Sequence, residues 1–370
     1  MIDLDNAATT PISTHALEVY QKVAVQCYGN TNSLHDIGSA AADVLQFSQN
    51  EMESILQAPS NSIYFSRGGT DANQLAIQLL LRSTKKQGKH IITTAFEHKS
   101  ITNYLKDLQK YQGYQITYLP TNQTGEVELK TVQTSVKKDT VLVVVQHVNS
   151  EIGAIQPIEE IGAWLRTQNI LFHSDGVQAF GKLPVCISDL KVDSYAISSH
   201  KVHGPKGIGA LYVNPAILGQ KSVLHTGTMD IPAIAAFVTA ANETVSTIQH
   251  EAQRIGNLRA AFISELNKRN FPLRTFTSSR QLPHIVGILF DTIPGDYTML
   301  AYNQAGIAIS TGSACSVGSE EPSRMMQAIG IPLQESKHFI RFSFGETTTQ
   351  NDLDKAIEVC ENVVKQWGNV

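Results

Sequence analysis

The chain holds little cysteine, little tryptophan and little charge. Its four cysteines, Cys27, Cys186, Cys315 and Cys360, are scattered over 370 residues, too sparsely for a disulfide framework. None forms a CxxC pair, so nothing suggests a cysteine zinc site. Charged residues make up 17%, and 29 Lys and Arg stand against 33 Asp and Glu, a formal net charge of −4. With no basic block along the chain, nucleic acid finds no electrostatic foothold. No run reaches the roughly 18 apolar residues that span a bilayer. The opening MIDLDNAATT carries two acids and no basic stretch, unlike a secretory leader, and the expectation is a cytoplasmic protein.

What is present is an apolar content of 42% in a chain long enough for two domains. From about residue 60 to 215, β-branched apolar runs alternate with helical patterns. Strands are expected at 62–65, 90–95, 115–119, 140–148, 170–173, 194–197 and 208–213, with helices at 71–82, 99–110 and 158–168 between them. Runs that are apolar throughout belong to strands covered on both faces, and the alternation predicts a mainly parallel α/β sheet. After about residue 250 the texture changes. A helix near 253–268, short strands at 284–290, 308–310 and 339–343, and helices near 323–329 and 350–365 predict a smaller α+β domain. The division expected is a large domain over 14–252, with 1–13 joining 253–370 in the small one.

In open α/β sheets ligands collect at strand ends, which singles out three stretches. In Ser66-Arg67-Gly68-Gly69-Thr70-Asp71, two glycines let an anion approach the backbone at a helix N-terminus; the same residues also make a good capping turn. In His173-Ser174-Asp175-Gly176-Val177-Gln178, a strand ends in an acid, either the partner of a buried cation such as a pyridinium or a helix cap. In Ser198-Ser199-His200-Lys201, a lysine follows a strand among hydrogen-bond donors, placed to form a Schiff base or merely exposed on a loop. Lys206, between Pro205 and Gly207, reads as a surface turn residue. Together the three stretches form the parts list of a pyridoxal-phosphate site, with His98 placed to lie on the ring. A fourth stretch, Ser310-Thr311-Gly312-Ser313-Ala314-Cys315-Ser316, gives Cys315 nothing to pack against, which suits an accessible nucleophilic thiol.

At this point the chain resembles the cysteine desulfurases of the NifS type, within the class V aminotransferase-like group of fold-type I pyridoxal-phosphate enzymes. The likeness runs from Leu4-Asp5-Asn6-Ala7-Ala8-Thr9-Thr10-Pro11 to Ile340-Arg341-Phe342-Ser343-Phe344-Gly345, through EHKS, HVNSEIG, SSHKVHGPKGIGALYV and STGSACS in that order. The resemblance implies that Lys201 holds the cofactor covalently and moves protons. It implies that Asp175 pairs with the ring nitrogen, Gln178 bonds the ring hydroxyl and His98 stacks on the ring. The phosphate is then held by Gly69, Thr70, Ser198 and His200, with Thr228 reaching in from the second subunit of a homodimer. Asn30 and Arg341 take the substrate carboxylate. Cys315 attacks the sulfur of L-cysteine, alanine leaves, and the persulfide passes to an acceptor protein that serves iron–sulfur clusters, tRNA thiolation or cofactor synthesis.

Three departures stand out. Ser150 occupies a position where the family usually has Asn, with a water or Asn149 to compensate. His225 stands where the family usually has Arg, and the segment between Val213 and Thr226 is short. Glu346 replaces a position that is often basic. Ser150, His225 and the short segment support an alternative, a cofactor-binding scaffold of impaired activity. Another is a related selenocysteine lyase or aminotransferase, although an aminotransferase needs no thiol.

Overall fold

The structure, a computed structural model, describes residues 1–217, 227–311 and 323–368. A two-residue strand, β1 (Ile2–Asp3), opens the chain. Two helices follow, α1 (Thr14–Gln26), capped by the Ser13 hydroxyl, and α2 (Asp36–Leu56). Alternation then sets in: β2 (Ile63–Ser66), α3 (Gly69–Ser83), β3 (His90–Thr94), α4 (Lys99–Gln112), β4 (Gln115–Leu119), α5 (Leu129–Ser135) and β5 (Thr140–Val144). It continues through α6 (Ile158–Thr167), β6 (Leu171–Asp175), α7 (Ile187–Leu190), β7 (Ser194–Ser198) and β8 (Gly209–Val213).

These strands form one seven-stranded sheet in the order β2-β8-β7-β6-β5-β3-β4. Six strands run one way and β8 runs against both of its neighbours. Every residue of β3, β5, β7 and β8 is buried, as strands roofed on both faces must be. The regular strand expected over 140–148 ends at Val144. The Val145 and His147 N–H groups still donate to the His173 and Asp175 carbonyls of β6, at 3.1 and 2.8 Å, while on the other side the Gln146 N–H is taken by the Glu97 carboxylate at 2.8 Å instead of by a strand neighbour. Residues 146–151 thereby become a wall of the site.

The remainder begins with α8 (Ile231–Ser246), which packs on α1 and α2 and is capped by Asp230, and with α9 (Ile248–Lys268). After these come β9 (Leu273–Thr275), β10 (Ile285–Phe290), α10 (Gly295–Gln304), β11 (Ile307–Ala308), α11 (Arg324–Ala328), α12 (Leu333–Ser336), β12 (Phe339–Ser343) and α13 (Gln350–Trp367). A capping box between Thr349 and Asp352 starts α13. Strands β12, β10 and β9 make an antiparallel sheet, and β1 pairs in parallel with β11. Leu4 shares a core with Phe262, Tyr302, Phe342 and Phe344, so the first residues pack with the last part of the chain. Among the described residues no single helix is long and apolar enough to cross a membrane.

The segment Asp5–Thr10 straps the two sheets together. Its N–H at Ala7 bonds the Ser343 hydroxyl at 2.8 Å, and the Thr10 N–H and hydroxyl both donate to the His200 carbonyl, at 2.8 and 3.0 Å. The loop after β7 and the end of β12 therefore meet across it.

Candidate active site

A cavity of about 310 Å³ opens where these pieces converge, at the C-terminal ends of β3, β5, β6 and β7. Gly69 and Thr70 stand at one end of it, in the first turn of α3. The preceding residue, Gly68, has φ +118°, which side chains rarely adopt. At Gly69 a Cβ would sit 2.7 Å from Val177 Cγ2 and 3.4 Å from Ser198 Cβ, so only glycine leaves this end of the cavity open. The first amides of a helix have no partners within it. With the Ser198 hydroxyl opposite, they form a cradle for a small anion.

Asp175, the last residue of β6, is 7% exposed. Its Oδ1 accepts from the Val177 N–H at 3.0 Å and its Oδ2 from Asn73 Nδ2 at 2.8 Å. Gln178 Nε2 donates to the Ala7 carbonyl at 2.8 Å, which fixes the amide's orientation because a carbonyl can only accept. Gln178 Oε1 is then a buried acceptor with no partner, suited to an incoming hydroxyl. His98 caps α4, its Nδ1 accepting from the Ser100 N–H at 3.2 Å.

Lys201 lies in the 3-10 turn after β7, and its Nζ donates to the carbonyls of Ala7 at 2.5 Å and Ala8 at 2.8 Å. The N-terminal strap thus aims this amine into the cavity. His200 lies 3.1 Å from Thr9 Oγ1; burial and the nearby Lys201 lower it to about 4, so it is neutral at pH 7. Lys182 reaches the Lys201 carbonyl at 3.3 Å, and burial lowers it to about 8. Lys206 is exposed, as its turn setting predicts.

On another wall Arg341, 2% exposed, extends from β12. Its guanidinium donates to the Ser150 carbonyl at 2.9 Å and to Asp5 Oδ1 at 2.6 Å. The Asn149 carboxamide does not line the cavity. Its Oδ1 accepts from the N–H groups of Glu151 and Ile152, both at 2.9 Å, so the compensation for Ser150 expected of Asn149 is not available: turning the amide would orphan two buried donors. Glu97 and Glu151 also border the cavity, and burial raises both, Glu97 to about 8.

Gly69, Thr70, His98, Asp175, Gln178, Ser198, His200, Lys201 and Arg341 thus share one cavity. Two candidates lie elsewhere: Asn30 is exposed, its Oδ1 accepting from the Asn32 N–H at 3.0 Å, and Thr228 is exposed beside the start of α8. Cys315 and His225 fall outside the described residues. Asn73, Glu97, Gln146 and Arg324 line the cavity without having been singled out from the sequence. Asn73 had a findable signal, since it follows Thr70 by one helical turn and shares its face of α3.

A mainly parallel sheet with an anion cradle, a carboxylate and a lysine at adjoining strand ends defines an α/β enzyme of the fold-type I class. Within it, the chain belongs to the aminotransferase class-V family, whose profile matches residues 2–356. A relative from Bacillus subtilis, whose name places it with the NifS cysteine desulfurases, is 42% identical and covers 96% of this chain and 93% of its own. The cysteine desulfurase IscS of Dictyoglomus turgidum is 34% identical, with 98% and 94% covered. Among solved structures, a NifS-like protein superposes with a TM-score of 0.89 at 26% identity over the full length of both chains. One described as SspA in complex with cysteine gives 0.79 at 28% identity, covering 93% of this chain and 99% of that one.

Proposed function

We propose that this chain is a pyridoxal-phosphate-dependent cysteine desulfurase that removes sulfur from L-cysteine and releases alanine. The observation that carries the reading is the convergence of Lys201, Asp175, His98 and the Gly69 cradle on one cavity walled by Arg341. Full-length relatives named cysteine desulfurase support the substrate, as does the structural neighbour described with cysteine bound.

The residues present fit the cofactor. Gly69, Thr70, Ser198 and His200 hold the phosphate, the last as a neutral donor. Asp175 would accept a hydrogen bond from the pyridinium N–H and keep it protonated, Gln178 Oε1 would accept from the ring hydroxyl, and the Lys201 amine would hold the cofactor covalently. When bound, the cofactor supplies an electron sink for charge developing at the substrate α-carbon. Lys201 then moves the proton at that carbon, and His98 covers the ring and excludes water. Arg341, already oriented by Asp5, receives the substrate carboxylate in its planar fork.

The thiolate of Cys315 attacks the substrate sulfur. An S–S bond forms as the C–S bond breaks, its electron pair remaining on the amino-acid side, which takes up protons and leaves as alanine. The persulfide passes on to an acceptor protein.

A homodimer completes the site in this reading. Asn30 and Thr228 then serve the partner's cavity, which accounts for their exposure here. Tyr28 and Leu34, exposed apolar residues of the same loop as Asn30, supply apolar surface for that contact.

The purified protein should be yellow and should release alanine and sulfide from L-cysteine in the presence of a thiol reductant. Cys315→Ala should keep the colour and lose sulfide release, while Lys201→Ala should lose the covalently bound cofactor and turnover. A protein that stays colourless after incubation with pyridoxal phosphate would overturn the reading.

A further inference from the structure

The carboxamide of Asn73 is 1% exposed and bonds three side chains, two on β6 and one on α4. Its Nδ2 lies 2.8 Å from Asp175 Oδ2 on β6 and 3.2 Å from Ser100 Oγ on α4. Its Oδ1 lies 3.0 Å from His173 Nε2. Only one orientation of the amide works, because a carboxylate accepts and never donates, so the nitrogen must face Asp175. Asn73 Oδ1 must then accept from His173, which carries its proton on Nε2 and accepts from the Ser194 hydroxyl at Nδ1, 2.8 Å away. Burial keeps His173 neutral, lowering it to about 3.

The same logic continues toward His98. Ser100 Oγ spends a lone pair on the second N–H of Asn73, so its own proton is directed at His98 Nδ1, 2.8 Å away. The Ser100 backbone N–H, which can only donate, also points at that nitrogen, from 3.2 Å. His98 Nδ1 is therefore an acceptor, and the ring proton sits on Nε2.

We propose that Asn73 is a positioning residue that couples the two sides of the ring site, holding the Asp175 carboxylate with one N–H and, through the Ser100 hydroxyl, fixing His98 as the Nε2–H tautomer with the other. What this does for catalysis rests on the desulfurase reading; the hydrogen-bond relay does not. A single side chain thus sets both the anion facing the ring nitrogen and the proton arrangement of the imidazole beside it, as partners behind a ligand commonly do.

The test uses the holoenzyme with ring-labelled ¹⁵N-histidine, the His98 signals being assigned by His98→Gln. The wild type should show an unprotonated, pyridine-like Nδ1 and a protonated Nε2 at His98. Asn73→Ala should bind pyridoxal phosphate more weakly, lose about 10- to 100-fold in kcat with KM for cysteine little changed, and shift the His98 Nδ1 resonance. Ser100→Ala should shift that resonance too, but leave cofactor affinity unchanged. If Asn73→Ala does not fold, Asn73→Ser takes its place. A wild-type His98 protonated at Nδ1, or a His98 signal in the Asn73 variant that superposes on the wild type, overturns the proposal. If the wild type binds no pyridoxal phosphate, the desulfurase reading fails, while the His98 resonance in the same samples decides the relay separately.

Discussion

Replacing Glu97 by Gln isolates the consequence of burying an acid beside the ring site. Glu97 is 2% exposed; its Oε1 accepts from the Thr94 hydroxyl at 2.7 Å and the Gln146 N–H at 2.8 Å, while Oε2 is buried with no partner. Desolvation is the chief reason the carboxyl rises from 4.5 to about 8, with Asp175 adding to it. Below about pH 4.5 both folded and unfolded chains carry this proton, and there is no penalty. Between 4.5 and 8 the unfolded chain gives up its proton while the folded one keeps it, so stability falls by about 1.4 kcal/mol per pH unit. Above 8 the folded protein ionises as well and the slope vanishes. Over the whole window the loss is 8 minus 4.5 pH units, or about 5 kcal/mol, and about 2 kcal/mol of it falls between pH 6 and 8, the folded group being half ionised at the upper end. Gln has nearly the same shape and no proton to lose. Denaturant unfolding of both proteins from pH 5.5 to 9 should therefore show the wild type losing about 2 kcal/mol more than Glu97→Gln between pH 6 and 8. Other titrating groups cancel in the difference. Parallel stability curves would mean that Glu97 ionises normally in the fold, and would refute the reasoning.

Two further perturbations probe the cavity's ends. In Gly69→Ala the new Cβ meets Val177 Cγ2 at 2.7 Å, an overlap costing about 1 to 3 kcal/mol. Titration of cofactor-free protein with pyridoxal phosphate should give an affinity lower by about 5- to 150-fold, and an unchanged affinity would remove Gly69 from the cradle. Asp5→Asn deletes the anion 2.6 Å from the Arg341 guanidinium, a charge-assisted bond worth about 1.5 to 3 kcal/mol. The KM for cysteine should rise by about tenfold or more with kcat affected less; a fall in kcat at constant KM would place Asp5 in the chemical step instead.

Most of the large sheet was legible because several of its strands are apolar throughout, β-branched runs mark the others, and helical patterns lie between them. The antiparallel direction of β8 was not, since a five-residue run such as Gly209-Ala210-Leu211-Tyr212-Val213 reads the same in either direction. The early end of β5 was hidden as well: Val145 to Val148 look like strand, and only a carboxylate 49 residues away takes the Gln146 N–H. Within the site, residues whose chemistry is distinctive in sequence, such as Lys201, Asp175 and the Gly68-Gly69 pair, could be named. Asn73 offered only its spacing from Thr70 and Glu97 offered nothing, because their significance lies in partners brought from other parts of the chain. Asn30 and Thr228 mark the opposite limit, residues named from a resemblance that lie away from this chain's own cavity.

Ser150 offers the most direct way to ask what this chain lacks relative to the family pattern. Its backbone carbonyl, not its hydroxyl, holds Arg341 at 2.9 Å, so changing its side chain leaves that anchor in place. The Asn149 carboxamide cannot take over, being committed to two buried N–H groups, each costing about 1 to 3 kcal/mol if abandoned. The Gln146 amide on the same wall donates to the Phe96 carbonyl at 2.7 Å, so position 150 is where an additional amide can be supplied to the bound cysteine or cofactor. Ser150→Asn supplies it, from a residue that lines the cavity. One new neutral hydrogen bond is worth about 0.5 to 1.5 kcal/mol, so kcat/KM for cysteine should rise by about 2- to 13-fold. Ser150→Ala controls for loss of the hydroxyl alone. If Ser150→Asn and Ser150→Ala give the same kcat/KM, the amide finds no partner in the cavity, and the missing carboxamide is not what limits this enzyme.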